Sequence, residues 1–463
     1  MPGNKAFDTR QSTLALSNKH PFVKAPHRTM LALSLPTLFS LIAEPLTGLV
    51  DTAFIASLGA PHLAALGVGT IALSSIFWVF NFLSIGTQTE VAKAFGKGDT
   101  ARAQQLVGMG LVMAGSIGLV VALLIFPLTP AIATWMGGTD VVFTHTVTYV
   151  NLRLLGGPAV LITLVAFGAL RGMQNMQVPL WIALAINALN IGLDALLIFG
   201  LGPVPALGIA GAALASVIAQ WVGAGLALWQ IRKKIGFPSV LNRADTKRLL
   251  VIGSDLFVRT GMLTLFLILT TRAATKIGAD AGAAHQAIRQ IWMFTALLLD
   301  AFAITGQSLI GFFIGAKALQ HARRVAYVAC AWGLWTGIAL ALLMWLGESW
   351  VIALLVPTSA ISLFSSAWLL AALFQPLNAL TFATDGIHWG TGDFRFLRNT
   401  VATATIAGAA LLLLVDLKNP EALFWVWLIT GIWITIRALL GLLRIWPGVG
   451  TAPLKKSAIP HQV

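Results

Sequence analysis

The sequence predicts an all-α integral membrane protein: twelve transmembrane helices in two six-helix lobes related by an internal parallel repeat. Three observations carry this expectation. Charged residues make up 10% of the 463 positions and hydrophobic ones 57%, with mean hydropathy +0.85. A soluble domain carries about 25% charged residues. Long apolar runs follow one another, far too long for barrel strands. The two halves of the chain also match each other at a constant offset.

Taken in order, the spans fall at roughly 30–57, 63–91, 105–133, 143–170, 179–201, 207–232, 248–276, 282–312, 323–347, 361–389, 398–416 and 421–445. Span 1 is apolar throughout, yet it carries Glu44, Asp51, Pro36 and Pro45. Span 3 lies in a stretch, Leu106 to Thr139, with no charge. Between Val178 and Ile231 the sole charge is Asp194, and the Gly200–Pro205 segment turns span 5 into span 6. Ser349 to Thr384 is uncharged, and Pro357 helps to break the run before span 10.

Lys and Arg crowd the loops on one side: Lys93, Lys97 and Arg102; Arg171; Arg232 to Lys234 with Arg243, Lys247 and Arg248; Lys317, Arg323 and Arg324; Arg395 and Arg398. The other side holds almost none beyond Arg272, Lys276 and Lys418. The positive-inside rule then puts both termini in the cytoplasm, for a multi-pass protein of the inner (plasma) membrane. It also assigns the formal net charge of +14 to loops rather than to nucleic acid. The first 28 residues are polar, with Lys5, Arg10, Lys19, Lys24 and Arg28 and no apolar signal core. Cys330 is alone, excludes an internal disulfide, and reads as a small packing residue. The expected layout is a cytoplasmic segment 1–29, an N-lobe 30–232, a cytoplasmic linker 233–247, a C-lobe 248–445 and a cytoplasmic tail 446–463.

The repeat is explicit. At offset 219, Gly59-Ala60 matches Gly278-Ala279, Ile85 matches Ile304, Gln88 matches Gln307, Gly96 matches Gly315 and Ala103 matches Ala322. At offset 218, Pro158, Gly168 and Gly172 match Pro376, Gly386 and Gly390. Both halves start on the same side, so the repeat is parallel, about an axis along the membrane normal. Two such bundles enclose a cavity without a partner subunit, and rocking them gives alternating access. A transporter acting as a monomer is the natural reading.

An acid inside a span costs at least about 2.5–3.5 kcal/mol near the bilayer centre and marks function by default. Glu44 and Asp51 lie seven residues apart, on one helical face. Pro36 and Pro45 each remove a backbone hydrogen bond and favour a kink, which makes them hinge candidates. Asp51 falls in the outer half of the membrane. Asn187, Asn190 and Asp194 share a face of span 5 at similar depth, and Ser216 adds a hydroxyl from span 6, whose small residues allow close packing. Burial and a neighbouring carboxylate both favour the neutral acid, so such a pair trades protons. The coupling-site candidates are thus Asp51, Asn190, Asp194, Asn187, Ser216 and Glu44. The ion is H⁺ or Na⁺, with H⁺ favoured because Glu44 and Asp51 share a face; no metal beyond Na⁺ at Asp51/Asp194, and no cofactor, is expected. For Asn187, a plain interhelical hydrogen bond is the stronger reading.

In the second half, Asp255 and Arg259 are four apart and expected to pair. Asp300 and Asp385 are read as a second coupling site, as partners of Arg272, or as cavity-facing acids. Together Asp300, Asp385, Asp255 and Arg259 form a candidate C-lobe polar site. At offset 219 Asp51 falls on Thr270 and Pro36 on Asp255, so coupling is expected to concentrate in the first lobe. Walker A, HExxH and GxSxG motifs are absent, which argues against an ATP-driven pump or an enzyme. His285 and His388 read as packing or network residues.

The stretches EPLTGLVDTAFIASLGAPHLAALGVG, AKAFGKGD and LNIGLDALLIFGLG followed by GIAGAALAS resemble the multidrug and toxic compound extrusion (MATE) transporters, the DinF-like branch above all. The resemblance covers essentially the whole chain. It implies a two-lobed antiporter in the lipid bilayer that exports small organic, often cationic, compounds in exchange for H⁺ or Na⁺. It further implies an N-lobe cation site at Pro36, Asp51, Asn190 and Asp194, with Ser216 in place of a threonine. The acid that one branch carries on its seventh helix has no counterpart between Arg259 and Thr264. The alternatives are a flippase for a lipid-linked precursor, which the scarcity of in-span arginines (Arg259, Arg272) disfavours, and an integral-membrane enzyme using His388 with Asp385.

Overall fold

The computed structural model describes residues 18–200, 202–237 and 243–455. Lys5 and Arg10 of the basic lead-in, Lys456 of the tail and residues 238–242 of the expected linker lie outside the described residues.

The described chain is helical, and twelve helical elements match the expected spans. Span 1 is Pro26–Ala56. Span 2 runs Ala60–Trp78 and Phe82–Gly96 through one tight turn, and span 3 is Thr100–Ile125 extended by Thr129–Trp135. Span 4 is Asp140–Leu154 plus Gly157–Gly172, span 5 Gln177–Phe199 and span 6 Ile209–Lys234. Spans 7, 8 and 9 are Arg243–Ile277, Ala279–Gly315 and Leu319–Leu346. Span 10 is Ile361–Leu373 plus Gln375–Thr391, span 11 Phe394–Leu412 and span 12 Ala422–Ile445. Many helices run a few residues beyond their apolar stretch, because polar residues continue the backbone hydrogen bonding into the loops. Among the described residues, nine helices are long and apolar enough to cross a membrane alone, and the two bent pairs bring the number to eleven. The remaining one, span 11, opens with Arg395, Arg398 and Asn399.

Spans 4 and 10 are broken, with bends of 48° and 45°. Pro158 and Pro376 stand at the second residue of the second segment in each. A ring without an N–H cannot continue the ladder, so the repeated proline marks a repeated kink.

The described residues form two compact units: one is Leu35–Gly253, and the other joins the residues up to Ser34 with those from Ser254 on. Within the first unit, span 4 packs on spans 2, 3 and 6, and span 5 packs on span 6. Within the second, span 10 packs on spans 8, 9 and 12, and span 11 packs on span 12. The arrangement is the same under the repeat. The glycines show it atom by atom. A β-carbon on Gly168 would collide with the Ser84 carbonyl oxygen, and one on Gly386 with that of Ala303. One on Gly172 would lie 2.7 Å from the Gln88 carbonyl, and one on Gly390 2.7 Å from that of Gln307.

The units do not divide at the linker. The boundaries fall after Ser34 and after Gly253, positions 219 residues apart. The start of span 1 and the short helix Pro21–Lys24 before it pack in the second-half unit: Phe22 lies against Phe313 (6.0 Å between centroids), and the Ser34 hydroxyl bonds the Thr305 hydroxyl at 3.0 Å. The start of span 7 packs in the first-half unit: Leu249 joins the core with Leu83, and Arg248 pairs with buried Glu90 at 2.7 Å. Cys330 is buried in the core of the second-half unit.

Candidate functional site

In the first-half unit, span 5 presses its Asn/Asp face against span 6. Gly211 makes room for this, since a side chain there would strike the Leu197 carbonyl. Asn190 is 4% exposed and Asp194 fully buried. The Asn190 amide donates to the Ser216 hydroxyl at 3.4 Å. Span 1 brings Asp51 to the same place, so that the Asp51 and Asp194 carboxyl groups face each other. Asp51 Oδ1 and both Asp194 oxygens are buried and take no hydrogen bond from the described residues.

That combination has a chemical meaning. Two carboxylates hold only acceptors, so neither can satisfy the other. A proton on either one converts the contact into an O–H···O hydrogen bond and removes a buried like-charge repulsion. One cation stands by: Arg153, on span 4, is within electrostatic reach of both acids. Its Nε and one terminal nitrogen are buried without a hydrogen-bond partner. Sequence reasoning overlooked Arg153. The available signal was a lone arginine in an apolar run, NLRLL.

Two sequence candidates stay apart from the pair. Glu44 is exposed and makes no ion pair among the described residues. It shares a face with Asp51 but sits about 10 Å away along the helix axis at the α-helical rise. Asn187 is half-buried and makes no hydrogen bond among the described residues. Pro36 and Pro45 both lie inside the continuous span 1 helix.

The C-lobe candidates pair differently from the expectation. Asp255 does not pair with Arg259; it pairs with Arg398 at 2.6 Å. Arg259 pairs instead with Asp385, and Arg437 reaches the same carboxylate oxygen at 3.0 Å. A pairing within one helix is weak, and a buried carboxylate offers a better-desolvated partner across helices. Asp385 is therefore not the partner of Arg272, which is exposed, nor is it hydrogen-bonded to His388 as an acid–base dyad would be. Asp300 lies half-buried on span 8. Arg289 is a further in-span arginine, donating to the Thr271 hydroxyl at 2.6 Å, and His285 lies 3.2 Å from the same hydroxyl. With Arg153, Arg289 and Arg437 counted, in-span arginines are not scarce.

Comparison with known proteins agrees with this architecture. The MatE family model matches twice, over residues 36–196 and 257–414, one match in each half of the repeat. The chain is 30% identical over 435 residues to DNA damage-inducible protein F of Escherichia coli, covering 92% of this chain and 93% of that one. It is 29% identical over 451 residues to Protein DETOXIFICATION 44, chloroplastic, of Arabidopsis thaliana, covering 92% and 83%. Its fold superposes with a TM-score of 0.83 on the outward-facing conformation of a multidrug resistance MATE family transporter of the MOP superfamily, at 20% identity over 93% of this chain and 97% of that one. From its twofold family match and these relatives, the chain belongs to the MatE family of membrane transporters.

Proposed function

We propose that this transporter is a proton-coupled antiporter that exports small organic compounds by alternating access, with Asp51 and Asp194 as the coupling pair. The observation that carries the reading is that the buried Asp194 carboxyl faces that of half-buried Asp51, with three of their four oxygens buried and without a donor among the described residues. A proton supplies the missing donor. Na⁺ would need several oxygen ligands, and here it would meet the positive charge of Arg153. Protonation from outside would draw spans 1 and 5 together, and proton release inside would part them. Span 1, with Pro36 and Pro45 along it, is the element that can follow by bending. Drug-like cargo is supported by the multidrug resistance relatives of this fold. The chain works without a cofactor and not as an enzyme in this reading, in the inner membrane with cytoplasmic termini.

Proteoliposomes carrying a fluorescent organic cation test it. An imposed pH gradient is expected to drive efflux, and a Na⁺ gradient alone is not. Asp51→Asn and Asp194→Asn should each reduce pH-driven flux at least tenfold, because each leaves a group that cannot cycle a proton. Full pH-driven flux in both variants would place coupling elsewhere.

A further inference from the structure

The second-half unit holds a polar cluster that proton coupling does not use. Asp385 on span 10 receives Arg259 from span 7 and Arg437 from span 12, both on Oδ2. The side chains are 12%, 5% and 4% exposed for Arg259, Asp385 and Arg437. The cluster of three carries one positive charge more than it carries negative. Neighbouring acids are matched one to one, Asp255 with Arg398 and Asp393 with Arg444.

The arginines are also held in place. The Arg437 guanidinium lies 4.4 Å from the Trp433 ring centroid, and Trp433 is itself stacked on Phe266 and donates to the Thr405 hydroxyl. The Arg259 guanidinium lies 5.4 Å from the Trp389 ring centroid. A guanidinium has five N–H donors in a fixed fork. Yet Nε of Arg259 and Nε of Arg437 are both buried and donate to nothing among the described residues. A buried cationic donor without an acceptor is costly. Two of them, held against aromatic rings around one shared carboxylate, leave donors that one more oxyanion would satisfy.

We infer that this Arg259–Asp385–Arg437 cluster binds a carboxylate group, so that the transported compounds include organic acids or zwitterions held by their carboxylate in the second lobe. A single negative charge matches the surplus of one, whereas a pyrophosphate would overcompensate it. A carboxylate also fits the Nε–Nη edge of a guanidinium with two parallel hydrogen bonds. The inference rests on the reading of the chain as an exporter of organic compounds, but it does not depend on what drives the export.

The test is equilibrium binding of radiolabelled benzoate to the purified full chain in chloride-free detergent solution, with no gradient present. Saturable binding is expected, displaced by other carboxylates and not by neutral benzamide. Arg259→Gln leaves Asp385 paired with Arg437 and should weaken binding at least about tenfold, the loss of one charge-assisted hydrogen bond. Asp385→Asn removes the competitor for the same donors and should tighten it. A merely structural cluster would not give opposite shifts in the two variants. Absence of saturable binding, equal displacement by benzamide, stronger displacement by inorganic phosphate, or unchanged affinity in Arg259→Gln would each overturn the inference. Failure of pH-driven flux with intact benzoate binding would count against proton coupling alone.

Discussion

At the scale of single residues, the proposed proton coupling gives Arg153 the role of deciding what the Asp51–Asp194 pair can bind. A fixed positive charge beside a carboxylate pair opposes a metal cation by simple Coulomb repulsion, which is strong where water is excluded. It opposes a proton by the same repulsion, but the proton gains a covalent O–H bond that offsets it, whereas Na⁺ gains only ion–dipole contacts and needs several oxygen ligands. Arg153→Gln removes the charge and keeps much of the volume. Proton-driven efflux of the native chain is expected to be indifferent to Na⁺, whereas the variant should be inhibited by it, and Arg153→Lys should behave as native. Equal Na⁺ sensitivity in all three would show that Arg153 plays no part in ion choice. The acids of this site were legible in the sequence, because a carboxylate in an apolar run has no ordinary explanation. Asn190 and Asp194 were legible by their one-turn spacing on a face. Arg153 and Arg437 were not, since an arginine contacts groups on other helices that no local spacing reveals. The Asp255–Arg259 expectation failed for the same reason: helical spacing made the pair available, and Arg398 and Asp385, remote in sequence, competed for both partners.

At the scale of helices, the repeat is written in glycines and prolines rather than in charges. Gly168 and Gly386 each let span 4 or span 10 touch the backbone of its neighbour, and a side chain at either would meet a carbonyl oxygen. A backbone neighbour cannot step aside, so Gly168→Val and Gly386→Val should each lower the thermal unfolding temperature in detergent by an amount worth about 1–3 kcal/mol or more. Gly192→Val serves as the control, because a β-carbon there meets nothing within 4 Å. If Gly192→Val is as damaging as the other two, helix propensity rather than packing explains the loss. The sequence showed these glycines as repeat matches and spanned each broken helix as one segment. The bends at Pro158 and Pro376 were not anticipated, because hydropathy continues smoothly across a kink that only backbone hydrogen bonding registers.

At the scale of the whole molecule, a lobe is not the same thing as a half of the chain. Hydropathy and loop charge locate spans 1 and 7 correctly but divide the chain at its longest polar connection. Contacts instead cut each of these helices near its start, at equivalent points of the repeat. No property of the local sequence marks such a cut, since the same helix continues through it and only its neighbours change. Pro36 stands two residues beyond Ser34, at the point where span 1 passes from one unit to the other. If transport moves each unit as a body, the start of span 1 travels with the second-half unit and the bend is taken up beyond it. A bond inside that unit should then be harmless. Ser34 and Thr305 have hydroxyls 3.0 Å apart, so their side chains point at each other, as those of a disulfide must. In a Cys330→Ala background, Ser34→Cys with Thr305→Cys should oxidise readily and keep pH-driven efflux at the reduced protein's rate. Loss of efflux on oxidation, restored by reductant, would show instead that the start of span 1 must leave the second-half unit during each cycle, and the moving body would have to be redrawn with its hinge before Ser34.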